Sequence, residues 1–341
     1  MTPFDVVLIV DWSAAADRGA KPKQDAIWTA RAEAGSVETR YHRRPEDAED
    51  WLGATLAADA AAGRRVLAGF DFPFAYPAGF ARALTGADDP LALWDWFAAR
   101  LPGTDRWRLA GEINARFPGE GPFWFNGGGA DVAHLPRGKP AAMPAGLPER
   151  REVERRAPGA FTCWQMGGAG AVGSQAMTGQ ATLARLRRRL GDAVAVWPFQ
   201  PLDAPVALVE VWPSLIAPAV REAMAGAVEP IKDEWQVRVL AQALAGLPPA
   251  RLAAMLEVAA PVEGWILGVG HEAALAAAAA PTRAASDRPR LRDDCFATPA
   301  GVAWTPVDEA LARLREGMAC VCAAVAEAVP LAEAAGRFLA E

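Results

Sequence analysis

Apolar runs that end in an acidic residue occur three times along the chain. The runs VVLIV, VLAGF and ALV lead directly into Asp11, Asp71 and Glu210, respectively. Continuous apolar runs rich in β-branched residues are typical of strands buried on both faces, where a carboxylate is unusual. Three such strands predict an acidic cluster at the place where the strand ends meet.

The elements around the first two acids are predicted in the order strand, strand, strand, helix, strand. Apolar segments at 26–32 and 37–41 predict two strands joined by a turn, and Pro45 begins a helix with acids in its first turn. A doubly wound Rossmann sheet would place a helix directly after the first strand. We therefore expect an α/β fold with an RNase H-like, or actin-like, mixed β-sheet flanked by helices.

The rest of the chain divides by composition. Residues 1–280 are expected to form the RNase H-like domain, with a Pro- and Gly-rich insertion at 102–158 that covers one end of the sheet. Within it, residues 149–156 (ERREVERR) predict a solvated helical face. Residues 281–304 are typical of a linker, and residues 305–341 predict a helical tail.

Composition limits the possible partners. The formal net charge of −6 gives no overall attraction to nucleic acid, so nucleic acid is not favoured as a partner. Four cysteines and three histidines match neither a disulfide framework nor a zinc site. We expect no signal peptide and no membrane span, and therefore a cytoplasmic protein.

The acids at the predicted strand ends are candidate metal ligands and catalytic residues. Asp11, Asp71 and Glu210 would repel one another unless a cation lay between them, and Asp233 at a helix start would be the fourth acid. Oxygen ligands favour Mg²⁺ or Mn²⁺, and two such ions could activate water and stabilise the leaving oxygen of a phosphodiester. The alternatives are a first-turn acid for Asp233 and turn acids for Asp11 and Asp71.

A glycine-rich segment is a candidate phosphate site. GAGAVG at 168–173 matches GxGxxG, but its mid-chain position and the lack of an acid after the next strand disfavour a dinucleotide fold. A helix N-terminus after these glycines could still bind an anion, and a purely structural turn is the alternative. Ser13 could meet a phosphate or cap its own turn. The candidate ligand-binding residues are Ser13, Gly168, Gly170, Gly173, Ser174 and Gln175.

Five short motifs occur in order along the first part of the chain: VDWSA, GFDFPFAYP, GAVGSQAMTG, VEVWPS and KDEWQV. With them, residues 1 to about 280 resemble a family of uncharacterised proteins that is assigned an RNase H-like fold and described as predicted nucleases. This resemblance implies an acid set at Asp11, Asp71, Glu210 and Asp233. The chain departs from the usual RNase H-like pattern in its insertion at 102–158.

The tail resembles a different family. Residues 305–341 contain ALARL and then VPLAEAAGRFLAE, and they are similar to the extreme N-terminus of molybdopterin molybdotransferases. No active-site residue of that enzyme is expected in so short a piece. The tail is therefore either a fusion cut at this point or a remnant kept as a docking helix. Both interpretations imply a link to molybdenum cofactor biosynthesis and its proteins as partners, by association alone.

Three hypotheses for function follow. The first is a divalent-metal phosphoesterase or nuclease-like hydrolase that acts on a small phosphorylated or nucleotide-like ligand and is linked to molybdenum cofactor biosynthesis. The second is a non-catalytic partner domain that binds a phosphate, pterin or nucleotide through Ser13 and residues 167–174. The third, an actin-like phosphotransferase, needs a second glycine hairpin that the sequence around Asp71 lacks.

Overall fold

The computed structural model describes residues 3–125, 131–225, 227 and 229–279. Residues Met1–Ala280 form one compact unit. The predicted linker at 281–304 and the tail at 305–341 lie outside the described residues, so the expectations about them remain predictions.

A six-stranded mixed sheet forms the centre of this unit, in the order β3-β2-β1-β4-β6-β5. The strands β1, β2 and β3 are antiparallel, whereas β4, β5 and β6 run parallel to β1. The strands are β1 Val6–Asp11, β2 Ile27–Glu33, β3 Ser36–His42, β4 Val66–Phe70, β5 Val194–Val196 and β6 Val206–Glu210. The predicted α/β class is confirmed, as is the order of three strands, a helix and a strand.

Helices flank the sheet. They are α1 Pro45–Ala61, α2 Phe80–Thr85, α3 Pro90–Arg100, α4 Arg106–Asn114, α5 Glu152–Arg156, α6 Gly173–Leu190, α7 Ala217–Met224, α8 Lys232–Gly246, α9 Pro249–Leu256 and α10 Glu272–Ala279. Across the described ranges, no single helix is long and apolar enough to cross a membrane; α8 and α9 would pass together on length and composition, but they are bent by 109°.

The strands β1, β4 and β6 are buried on both faces, which explains their uninterrupted apolar runs. Successive side chains of a strand alternate between faces, so Leu8 and Val10 pack in one cluster while Val7 and Ile9 pack in another. The first cluster includes residues of α1, α3 and α6, and we call this side the α6 face. The second includes residues of α8 and α10, and we call it the α8 face.

The insertion at 102–158 contains α4 and α5 and packs beside the chain that follows β4. Phe123 of the insertion contacts Tyr76 and Phe80, with ring centroids 5.9 and 5.7 Å apart. The prediction of a solvated helical face at 149–156 is wrong at three positions, since Arg151, Val153 and Glu154 are buried. Arg151 and Glu154 are the charged residues among them. These two residues are charges within the core and not at the surface.

Candidate functional site

The ends of β1 and β4 bring Asp11 and Asp71 together, as the sequence predicts. The two strands are parallel, with Val10 paired to Phe70, and the Asp71 N–H donates to the Val10 carbonyl at 2.9 Å. Carboxyl ends of parallel strands meet at one edge of a sheet, where α/β proteins bind ligands. We call Asp11 and Asp71 the acid pair; both are half-buried.

The third predicted acid, Glu210, lies on the other face of the sheet. In the parallel pairing of β4 and β6, Glu210 lies opposite Phe70, the residue that precedes Asp71. The residue that follows β6, Val211, packs with Ile9 on the α8 face. Because a one-residue shift along a strand moves a side chain to the opposite face, Glu210 is directed to the α6 face.

The Glu210 carboxylate is also fully engaged. It accepts two hydrogen bonds from the Arg151 guanidinium, at 2.8 and 2.6 Å, and one from the Phe74 N–H at 2.8 Å. Burial raises the pKa of Glu210, and Arg151 opposes that shift. Burial alone would lower the pKa of Arg151, but Glu210 and Glu154 hold it well above its ordinary value. The structure therefore places Glu210 in a buried ion pair and not in the acid pair.

The fourth predicted acid, Asp233, lies near the acid pair and is partly engaged. It stands in the first turn of α8, is 7% exposed, and accepts a hydrogen bond from the Asp25 N–H at 2.7 Å. Burial raises the pKa of Asp233, and the hydrogen bond from the Asp25 N–H partly offsets this increase. Asp233 is therefore an acid in the first turn of a helix, as the alternative interpretation predicted. Its negative charge nevertheless raises the pKa of both members of the acid pair.

The acid pair is electrostatically unfavourable when both groups are ionised. Burial, Asp71 and Asp233 raise the pKa of Asp11 well above its ordinary value, and no hydrogen bond from a described residue to the Asp11 carboxylate opposes the shift. Burial, Glu210 and Asp233 raise the pKa of Asp71 to about 7. Lys232 is the cation that counteracts both shifts.

The predicted four-acid metal cluster is not assembled in this structure. In the part of the chain that the structure describes, no group of three or more Asp, Glu, His or Cys side chains is arranged to hold a metal ion. What remains of the prediction is a pair of carboxylates, Asp11 and Asp71, with Asp233 nearby. Two carboxylates are a common protein contribution to a Mg²⁺ site that is completed by waters and substrate phosphates.

The glycine segment opens α6, as predicted, and the hydroxyl that follows it is used internally. The Ser174 Oγ donates to the Met166 carbonyl at 2.6 Å and accepts from the Arg106 Nε at 3.1 Å. Gly168 and Gly170 have φ of +89° and +73°, a backbone conformation that favours glycine. These glycines therefore have a structural role, whether or not an anion binds beside them.

Ser13 caps its own turn, which is the second of its two predicted roles. Its Oγ accepts from the Ala15 N–H at 3.4 Å and donates to the Asp25 carbonyl at 3.2 Å. Ser13 and Asp233 thus both bind the backbone of Asp25, and together they fix the loop that follows β1.

Arg106 is a functional candidate that the sequence did not reveal. Its Nη1 donates to the Ala14 carbonyl at 3.4 Å, and its Nε contacts Ser174, so it joins the end of β1 to the start of α6. Burial lowers the pKa of Arg106. The N–H groups of Ser174 and Gln175 have no acceptor among the described residues. Arg106 lies in the irregular insertion and belongs to no motif, so only its position in the fold reveals it.

A separate cleft of about 500 Å³ lies where α6 ends and β5 begins, and no predicted site residue lines it.

No family model matches the chain, and no curated protein or solved structure matches it. The resemblances to the predicted nucleases and to molybdopterin molybdotransferases therefore remain predictions.

Proposed function

We propose that this protein has an RNase H-like fold and is a divalent-metal-dependent phosphoester hydrolase centred on Asp11 and Asp71. The observation that carries the proposal is the acid pair itself: two half-buried carboxylates at the carboxyl ends of adjacent parallel strands, with no direct salt bridge to a described residue. Perturbed carboxyl groups at such an edge are typical of functional sites. The order of three antiparallel strands followed by a parallel β4 supports the fold.

The residues of the acid pair suit Mg²⁺ or Mn²⁺. Asp11 and Asp71 would hold the ion directly, since their oxygens have no other partner among the described residues, and the charge of Asp233 would strengthen its binding. A bound ion would relieve the repulsion that now favours protonation of the pair. When bound, such an ion supplies Lewis-acid activation of a phosphoryl group and of water.

The substrate that best fits the charges is small and phosphorylated or nucleotide-like. Arg106 and the N–H groups of Ser174 and Gln175 offer hydrogen bonds to a phosphate near the end of β1. The net charge of −6 opposes general binding to nucleic acid. A link to molybdenum cofactor biosynthesis rests only on the sequence of residues 305–341.

A non-catalytic phosphate-, pterin- or nucleotide-binding domain is the second candidate. This candidate is favoured because the possible phosphate-binding groups, Arg106 and the start of α6, make no contact with the acid pair. A phosphate could therefore bind there without taking part in a reaction. The two candidates differ in what they require of Asp11: hydrolysis needs its carboxylate, whereas phosphate binding at α6 does not.

The test is Mn²⁺ binding by calorimetry with the wild type, Asp11→Asn and a control, Asp50→Asn. Asp50 is 87% exposed on α1, so its replacement changes the net charge equally without touching the acid pair. We expect saturable binding in the wild type and in the control, lost in Asp11→Asn, followed by hydrolysis of phosphomonoesters or phosphodiesters in a substrate screen. Absence of Mn²⁺ binding in the wild type, with phosphate binding retained, would reject the hydrolase in favour of the second candidate.

A further inference from the structure

The residues that follow Asp71 are held firmly in place. We call residues 72–78, which lie between β4 and α2, the 72–78 segment. The Phe74 N–H donates to Glu210 and the Ala78 N–H donates to Glu263, both at 2.8 Å. In addition, the carbonyls of Pro73 and Phe74 accept hydrogen bonds from side chains of α6 and α3, at 2.9 and 2.6 Å. Two of these four contacts therefore depend on carboxylates.

Both carboxylate-bearing residues are tied to Arg151 of the insertion. The guanidinium donates twice to Glu210, once to the Glu263 carbonyl at 3.1 Å, and once to Glu154 at 2.8 Å. Arg151 is 1% exposed, and Glu154 and Glu210 are 3% and 2% exposed. A planar guanidinium that uses Nε and both Nη atoms fixes the orientation of its partners.

We propose that Arg151 is a positioning residue for the acid pair, acting through Glu210 and the 72–78 segment. Without the guanidinium, Glu210 would be a buried and unpaired carboxylate, which a protein accommodates by protonation or by movement. Either change weakens the contact with Phe74, three residues after Asp71. The expected effect on metal binding rests on the proposed function. The inference gives the insertion a role, since Arg151 would help to position the acid pair without being a metal ligand.

The experiment compares two variants with the wild type. Arg151→Met removes the guanidinium and leaves two buried carboxylates. A triple variant, Arg151→Met with Glu154→Gln and Glu210→Gln, removes all three charges, while the amide carbonyl of the glutamine introduced at position 210 can still accept from the Phe74 N–H. Arg155→Met is the control, because Arg155 lies in α5, the helix that Arg151 precedes, but its side chain is 50% exposed.

We expect Arg151→Met to weaken Mn²⁺ binding about 10-fold, the lower end of the ~10–100-fold effect of losing a group bonded directly to a metal ligand, because Arg151 acts through Glu210 and Phe74. The triple variant should recover most of that affinity and the melting temperature, and Arg155→Met should match the wild type. Wild-type affinity in a folded Arg151→Met protein would overturn the inference. A triple variant with wild-type stability but no Mn²⁺ binding would also overturn it, since Glu210 would then be a ligand itself.

Hydrogen exchange separates this inference from the proposed function. If the wild type binds no Mn²⁺, the proposed function fails, but the anchoring of the 72–78 segment can still be measured. We expect faster exchange of the Phe74 and Ala78 amides in Arg151→Met, with protection of the Phe74 amide restored in the triple variant. Unchanged exchange of both amides in Arg151→Met would refute the anchoring role whatever the metal result.

Discussion

Replacing Asp71 by asparagine should make the stability of the metal-free protein fall less as pH rises from about 4 to 7. Burial, Glu210 and Asp233 raise the pKa of Asp71 to about 7 from an ordinary value of 3.8. A folded-state pKa above the unfolded value means that the folded protein binds more protons between these values, so stability falls as pH rises through this window. Three pH units at about 1.4 kcal/mol each give a cost on the order of 4 kcal/mol above pH 7.

The assay is urea unfolding in EDTA at several pH values between 5 and 8, for the wild type and Asp71→Asn. The wild type should lose stability relative to the variant as pH rises, because the asparagine side chain of the variant has no proton to release. Saturating Mn²⁺ should restore the wild type, by about 2.7 kcal/mol at a hundredfold excess over Kd, and should leave Asp71→Asn nearly unchanged.

The difference between the two proteins is the informative quantity. Groups that do not interact with Asp71, such as His42, contribute equally to both pH profiles and cancel in this difference. Asp11 adds to the difference, because the charge of Asp71 raises its pKa. Asp50→Asn, at an exposed position of α1, should retain the wild-type profile. If Asp71→Asn and the wild type had parallel profiles from pH 5 to 8, the acid pair would not be electrostatically strained and the argument for a cation there would fail.

Three further predictions test other parts of the structure. Burial lowers the pKa of His42 to about 4, so stability should be lost as pH falls from about 6.5 to 4, and His42→Gln should remove this loss in acid titrations followed by circular dichroism. Gly121→Ala should lower stability in urea by about 1–3 kcal/mol, since the new Cβ would overlap the Cα and side chain of the buried Asn114; Gly35→Ala, with a similar φ but open space, should cost less. Asp59→Ala should cost about 1–3 kcal/mol in the same assay, because it removes the buried partner of Arg31 and Arg64, while Arg31 keeps its ion pair with Glu33.

The sheet and the acid pair were predictable because both depend on local patterns. Apolar runs specify buried strands, and Asp11 and Asp71 each follow such a run directly, so parallel pairing of β1 and β4 was enough to bring them together. Glu210 ends its run in the same way but lies one residue earlier in the register. No pattern in a single sequence reports the register between strands as distant along the chain as β4 and β6. The prediction therefore grouped Glu210 with Asp11 and Asp71, whereas the register directs it to the α6 face.

The two arginines could not be predicted for a different reason. Arg151 lies among other charged residues in ERREVERR, a composition typical of a solvated helix, and its partner Glu210 is 59 residues away. Arg106 follows a helix cap in an irregular stretch, and its contacts are with α6 and with the loop after β1. Burial of a charge is decided by tertiary contacts, and sequence composition favours the exposed interpretation.

The arrangement of these charges constrains how a ligand would lie. Asp11 continues the α8 face, together with Asp233, whereas Arg106 meets the start of α6 on the other side of the same strand end. A phosphate held by Arg106 would therefore approach the acid pair across the end of β1, where Ala14 already contacts Arg106. A cation between the two anionic groups, the phosphate and the acid pair, would offset their repulsion. A metal ion at the acid pair would be such a cation, so we expect Mn²⁺ to raise the affinity for inorganic phosphate, and Asp11→Asn to abolish that increase without lowering the metal-free phosphate affinity.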